Sequence, residues 1–323
     1  MLLPDHEFLK PQTLAEGLAL LAGQPRAQPL AGGTDVIYNM RGRLFTPPAV
    51  VAIRHLPELA GVRELADGSL DIGAGCRLTD LVADPLVARY PALVTALRAV
   101  ASRHVRNMAT LGGNLCLDTR CWFTNQTEEW RDARGPCLKT GVDACHAIHG
   151  APVCVALNNA DTPPALIALD ATVTLVSQRG ERRVRLRDFY RNDGITHTVR
   201  QADELLARVL IPPTTDRMVF SKDTARQGMD FAYGTIAARA DGQGGTASRV
   251  TLVLGSLTTA PLVLDDIAAG LVAAGLGDAA IETACAGLRP ALGPLTNLYS
   301  PAAYKRELAR SLLRKAIVTL REM

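Results

Sequence analysis

The sequence predicts a mixed fold, α/β over its first two thirds and α+β over the last third, and three observations carry that reading. Helical and strand periodicities alternate from the N-terminus to the pair Pro212-Pro213, as in an α/β arrangement. After that pair, strand-like runs come first and helical runs follow, which is an α+β order. At 323 residues the chain is also long enough for two or three domains, each burying its own core.

The elements follow in order. Thr13 and Glu16 form a T-x-x-E capping box ahead of Leu18, Leu20 and Leu21, which predicts a helix over 13–22. A short apolar strand then runs into PLAGGTDVIYNM, where Gly32 and Gly33 interrupt it and Thr34 and Asp35 are placed to open a short helix. AVVAI (49–53) and SLDIGA (69–74) read as strands, the second preceded by the turn Asp67-Gly68. PALVTALRAVASRHV predicts a helix from Pro91 to Val105, with its proline in the first turn. A second glycine break, ATLGGNL (109–115), comes next. Further on, PALIALDATVTLVSQRGERRVRLRDFY gives a buried apolar segment, a strand, a turn at Arg179-Gly180 and another strand, and ELLARVLIPP (204–213) adds one more. Past the prolines, RMVFSK, FAYGTIAARA and SRVTLVLGSL read as three strands, followed by two or three helices to Met323.

Composition excludes more than it identifies. Hydrophobic residues make up 48% and charged residues 21%, ordinary values for a globular protein, and a net charge of +3 gives no reason to expect nucleic acid or an anionic membrane as partner. No apolar run reaches the roughly 20 residues of a membrane span, and the N-terminus lacks a basic segment followed by an apolar one. The expected location is therefore cytoplasmic, where thiols stay reduced and clustered cysteines read first as metal or redox ligands.

Five of the seven cysteines fall between Cys116 and Cys154, immediately after LGGNL. Their spacing contains no C-x-x-C pair, which counts against structural zinc, whereas thiolates from a long irregular loop suit an iron–sulfur cluster. An iron–sulfur cluster, zinc, and unligated or disulfide-forming cysteines all stay open on the residues alone. Five cysteines for four iron positions leave one spare, and Cys116, directly after the glycine break, is taken as that one. Cys76 and Cys285 read as small core residues, His146 and His149 as loop histidines, and Trp122 and Trp130 as cover for a buried centre or a subunit contact. Neither AGGTD nor LGGN matches a dinucleotide-binding G-x-G-x-x-G or a P-loop, so by themselves these are turns whose backbone N–H groups can approach a phosphate. No triad, H-E-x-x-H or paired-carboxylate motif is present to suggest acid–base or nucleophilic catalysis.

The order AGGTD, ATLGGNL, D-x-x-PALIALDA, DELLARVLIPP and FSK resembles the FAD-binding subunits of the molybdenum hydroxylases, the xanthine dehydrogenase and carbon monoxide dehydrogenase medium-subunit family, over essentially the whole chain. The resemblance implies a PCMH-type FAD-binding domain in two subdomains, 1–55 and 56–215, and a C-terminal α+β domain, 216–323, built on a three-stranded antiparallel sheet with helices. It implies FAD held at Leu30, Ala31, Gly32, Gly33, Thr34, Asp35 and Val36 and at Thr110, Gly112, Gly113 and Asn114. Asp161 matches the aspartate near the adenosine portion, and Leu206 and Lys222 match positions near the isoalloxazine.

In most of that family the GGN turn is closely followed by the D-x-x-P-A-L aspartate, but here 47 positions separate Asn114 from Asp161. The interval, about 116–156, is similar to the insertion in the beta subunits of 4-hydroxybenzoyl-CoA reductases, which carries a 4Fe-4S cluster. Carried over position by position, its ligands would be Cys121, Cys137, Cys145 and Cys154. The partners so implied are a molybdopterin-binding large subunit, a small subunit with two 2Fe-2S clusters and reduced ferredoxin as donor, in a dimer of heterotrimers. Two competing expectations are an aldehyde or N-heterocycle dehydrogenase of the same family, and a zinc-stapled binding protein whose glycine breaks are only turns.

Overall fold

The computed structural model describes residues 2–226, 228–292 and 301–323. Its N-terminal layer is a parallel sheet in the order β1-β3-β2, made of β1 (Glu7–Leu9), β2 (Gln28–Leu30) and β3 (Ala49–Ala52). Helix α1 (Leu14–Gly23) connects β1 to β2, and α2 (Val36–Arg41) follows the first glycine break. The capping box forms by half: the Thr13 hydroxyl accepts from Glu16 N, while the Glu16 carboxylate accepts from Gln12 N rather than Thr13 N. Leu18 and Leu21 on α1 pack with Val51, Ile53, Leu56 and Leu59 in a core that also takes Leu205 and Ala207 from the next sheet.

That next sheet is antiparallel, order β4-β5-β8-β6-β7, from β4 (Val62–Glu64), β5 (Leu70–Gly73), β6 (Thr172–Ser177), β7 (Gly180–Arg185) and β8 (Leu205–Ile211). Strand β6 alternates buried Val173 and Leu175 with half-buried threonines, as a strand with one covered face should, and the arginine-rich β7 forms a charged edge. Helices α3 (Leu78–Ala83), α4 (Pro91–Ala99), α5 (Arg103–Arg106), α6 (Leu111–Leu115), α7 (Glu128–Arg134) and α8 (Thr162–Ala168) lie between β5 and β6 in the chain.

One local expectation needs correction and two gain detail. The helix expected over Pro91–Val105 breaks at Val100, because Ala101 takes a left-handed φ of +43° and Ser102 starts α5 as its N-cap. The second glycine break is a helical turn, α6, with the Thr110 hydroxyl accepting from Gly113 N. The apolar PALIA segment is helix α8, and every one of its residues is buried.

The C-terminal layer is an antiparallel sheet in the order β12-β11-β10-β9, made of β9 (Arg217–Asp223), β10 (Gly234–Ala240), β11 (Val250–Gly255) and β12 (Leu262–Val263). It has four strands where three were expected, because the two-residue β12 is too short to show a periodicity. Helices α9 (Asp265–Ala274), α10 (Asp278–Ala291) and α11 (Ala302–Glu322) cover one face. On β10, Ile236, Ala238 and Ala240 point into that helical core, whereas Ala237 joins the core of α4 and α8. The sheet is thus covered on both sides, and α8 is held between it and the larger sheet.

Two arginines fix this arrangement. Arg217 donates to Gly244 O (2.8 Å), Thr246 O (2.9 Å) and Leu320 O (2.5 Å), which caps the last turn of α11. Arg239 pairs with Asp216 (2.7 Å) and donates to Ala168 O (2.9 Å), a terminal carbonyl of α8, tying β10 to that helix. Arg249 also pairs with Asp216 (2.8 Å), so Arg239→Ala leaves that charge compensated and is expected to lower stability by about 1.5–3 kcal/mol, the cost of a lost charged hydrogen bond, read as a lower urea midpoint.

Candidate functional site

The carboxyl ends of parallel strands are where open α/β sheets hold ligands. Here the ends of β2 and β3 open into a mostly apolar cavity of about 660 Å³, a volume typical of cofactor sites. Its wall includes Ala31, Gly32, Gly33, Thr34, Asp35 and Val36 from the first glycine break and Thr110, Gly112, Gly113 and Asn114 from the second. Asp161 and Leu206 complete the expected residues that reach it.

The two breaks meet because glycine lets them. A Cβ at Gly32 would stand 2.0 Å from Met108 O and 3.0 Å from Ala109 Cα, so any larger residue would push the segments apart. Gly33 takes φ +75°, turning the chain from β2 into α2. Asn114 then links α6 to α8: its Oδ1 accepts from Thr162 Oγ1 (2.6 Å) and Thr162 N (3.3 Å).

Two expected residues are not on the wall. Leu30 ends β2, where its carbonyl accepts from Ile53 N (2.9 Å) and keeps it in the sheet. Lys222 stands one step back on β9; its Nζ donates to Asp161 Oδ2 (2.8 Å) and to Ala99 O (2.9 Å). Asp161 is buried, and its second oxygen, Oδ1, has no hydrogen-bond partner. Burial raises its pKa to about 6, against the opposing pull of Lys222.

Residues that the sequence did not single out also line the cavity: Arg54, just past β3, and Asn159, Arg200 and Arg120. Arg54 was the most legible, being the charge that follows a strand end. Arg120 is sandwiched between the rings of Tyr38 (5.3 Å) and Phe231 (5.6 Å), pairs with Asp35, and donates to Asn39 Oδ1 (3.2 Å). Asp35 also accepts from Asp118 N (3.1 Å), and burial raises its pKa. Asn159 Oδ1 and Arg120 Nε, like Asp161 Oδ1, are buried without partners. An unmade buried hydrogen bond costs about 1–3 kcal/mol, so polar atoms of this kind on one wall suit a large polar cofactor.

The cysteine segment is closed at its base by paired backbone bonds between Arg120 and Leu157, both 2.8 Å. Lys139 Nζ stitches it further, donating to Asp118 Oδ1 (2.9 Å) and to Thr119 O and Oγ1. Arg131 donates to Gly42 O (2.8 Å) and Arg43 O (2.9 Å) beside α2. Phe123 packs against Trp130 and His146, whose Nε2 lies 3.0 Å from Gly135 O. Four thiols share one neighbourhood. Burial raises the Cys121 thiol and the sulfurs of Cys137 and Cys145 add to it; burial, with Cys121 and Cys137, holds Cys154 at about 11.

Among the described residues, however, no three His, Cys, Asp or Glu side chains are grouped closely enough to hold a metal ion, so the expected Cys121, Cys137, Cys145, Cys154 set does not stand as a closed site. Cys116 stands apart at the end of α6, on the cavity wall. Cys285 is buried in the C-terminal core as expected, but Cys76 is only half buried, against Gly61 O. No helix among the described residues is long and apolar enough to cross a membrane.

Because its folded-state pKa lies above the ordinary 3.8, Asp161 keeps a proton that the unfolded chain releases, and its contribution to stability falls as pH rises from 3.8 to about 6. Lys222→Met removes the group that favours its charged form, so the carboxyl is expected to titrate above 6, which carboxyl NMR of Asp161 would detect.

Comparison with known proteins matches residues 4–214 to the FAD binding domain in molybdopterin dehydrogenase and residues 220–320 to the CO dehydrogenase flavoprotein C-terminal domain. The aldehyde oxidoreductase FAD-binding subunit PaoB of Escherichia coli is 33% identical over 73% of this chain and 78% of its own. The glyceraldehyde dehydrogenase medium chain of Sulfolobus acidocaldarius is 24% identical over 97% of each. Carbon monoxide dehydrogenase from Hydrogenophaga pseudoflava, solved without the Mo-pyranopterin moiety of its cofactor, superposes with a TM-score of 0.82 at 25% identity, covering 99% of this chain and 98% of that one. The chain belongs to the FAD-binding medium subunits of the molybdenum hydroxylases, of the carbon monoxide dehydrogenase and xanthine dehydrogenase type.

Proposed function

We propose that this chain is the FAD- and 4Fe-4S-carrying electron-transfer subunit of a 4-hydroxybenzoyl-CoA reductase, the enzyme that removes the phenolic hydroxyl to give benzoyl-CoA with electrons from reduced ferredoxin. The observation that carries this reading is the cysteine segment, inserted between the second glycine break and Asp161, in which Cys121 interacts with Cys137, Cys145 and Cys154. FAD, when bound, supplies a carrier that takes or gives electrons singly or in pairs.

The chain's own part is to bind and orient. Ala31–Asp35 would hold the diphosphate through backbone N–H groups, with Leu30 and Val36 flanking, and Thr110, Gly112, Gly113 and Asn114 would form the second flavin-binding turn. Asp161 Oδ1 would meet a polar edge of the cofactor, Lys222 would hold that carboxylate in place, and Leu206 would lie against the ring system. Cys121, Cys137, Cys145 and Cys154 would ligate the cluster and Cys116 would not. No acid, base or nucleophile is required of this subunit, because substrate would bind the molybdopterin-bearing large subunit. A small subunit with two 2Fe-2S clusters completes the proposed heterotrimer, two of which pair in the cytoplasm. The division 1–55, 56–215 and 216–323 belongs to the same reading.

A second reading, an aldehyde dehydrogenase of the same family, is favoured by the 33% identity to the E. coli aldehyde oxidoreductase subunit. The complete complex separates the two: turnover of 4-hydroxybenzoyl-CoA with a strong reductant is expected, and oxidation of aldehydes in its place would overturn the first reading. For the cofactors, purified chain is expected to contain one FAD and about four irons, the count of a 4Fe-4S cluster. Cys121→Ser should lose the iron and keep the flavin, whereas Cys116→Ser should keep both; a colourless protein with stoichiometric zinc would exclude the redox reading.

A further inference from the structure

The first glycine break carries a charge of the wrong sign for its proposed ligand. Asp35 lies on the cavity wall, five residues after Leu30, where an anionic diphosphate would lie. Its carboxylate is mostly buried, and an uncompensated negative charge there would repel the ligand and have little water to screen it. Arg120 supplies the compensation. It comes from the base of the cysteine segment, 85 positions away, and its guanidinium pairs with Asp35 Oδ1. The stacking between Tyr38 and Phe231 and the bond to Asn39 fix its plane, and the backbone bonds to Leu157 fix its position along the chain.

From this geometry we propose that Arg120 is a positioning residue for the flavin diphosphate: it neutralises Asp35, and so makes an arginine of the cysteine segment a condition of cofactor binding at the glycine turn. The inference rests on the FAD reading above. It also sets a link between the two redox centres. Arg120 directly precedes Cys121, so the counter-charge of Asp35 is adjacent in the chain to a proposed cluster ligand. Phe231 comes from the loop between β9 and β10, so the C-terminal sheet joins the same cluster.

The test uses the full chain stripped of flavin and titrated with FAD, with quenching of flavin fluorescence as the readout. Arg120→Ala is expected to weaken FAD binding on the order of tenfold, within the usual range for coupled sites. Asp35→Asn in that background is expected to restore most of the loss, because the unpaired charge is gone. Rescue is the diagnostic result, since a residue that merely props the loop would not be replaced by removing a carboxylate elsewhere. Unchanged affinity in Arg120→Ala overturns the proposal, and so does weakened affinity that Asp35→Asn fails to restore. If Arg120→Ala does not fold, Arg120→Gln, which keeps a hydrogen-bonding head without the charge, carries the same comparison. Wild-type chain that takes up no FAD would overturn the flavin reading itself, a result distinct from wild-type binding that Arg120→Ala leaves untouched.

Discussion

Lys222 reaches from β9 between α4 and α8, and at its tip three parts of the molecule are joined: the C-terminal sheet, the Ala99 carbonyl that ends α4, and Asp161 at the head of α8. Taking two charges out of water costs several kcal/mol per ion, and a buried pair offsets this only with good geometry and further hydrogen bonds. The Ala99 carbonyl provides one such bond. Asp161 keeps its other oxygen unpaired on the cavity wall, so the pair is only part satisfied until a polar group meets it. The site is therefore assembled by packing of the C-terminal domain, although the sheet that supplies Lys222 contributes little of the wall around the glycine turns.

The cysteine segment obeys a different constraint. It contributes one short helix, α7, and its order comes from side chains that return to the body of the protein, Arg131 to the end of α2 and Thr119 Oγ1 to Gly194 O at 2.5 Å, together with Lys139, which ties back to Asp118 and Thr119 at the segment's own base. Such a segment lacks the apolar stripe that would let a helix or strand bury itself. Polar stitching holds its base against the cavity, and burial raises the Cys121 and Cys154 thiols above the ordinary range.

Much of the fold was legible because burial leaves a periodic record. The alternation in β6, the apolar face of α1 and the proline at the start of α4 are all local consequences of which side of an element meets the core. The failures were local as well. Ala101 in a left-handed conformation left no mark in a helical pattern, and β12 was too short to have one. The candidate site was half legible: both glycine breaks and Asp161 line the cavity, but Arg120, Asn159 and Arg54 do too.

By itself the sequence determined that two glycine turns, an aspartate and a lysine would be available, and that thiols would gather in one insertion. Only the tertiary structure decided what each of them touches. Gly32 is required because Met108 passes behind it, Lys222 is turned from the wall by Asp161, 61 positions away, and Arg120 is paired with Asp35 rather than left in solvent. The reason is physical: periodicity reports whether a residue is buried, but a charge or a close backbone contact depends on which distant segment arrives within a few ångströms, and no local pattern encodes that.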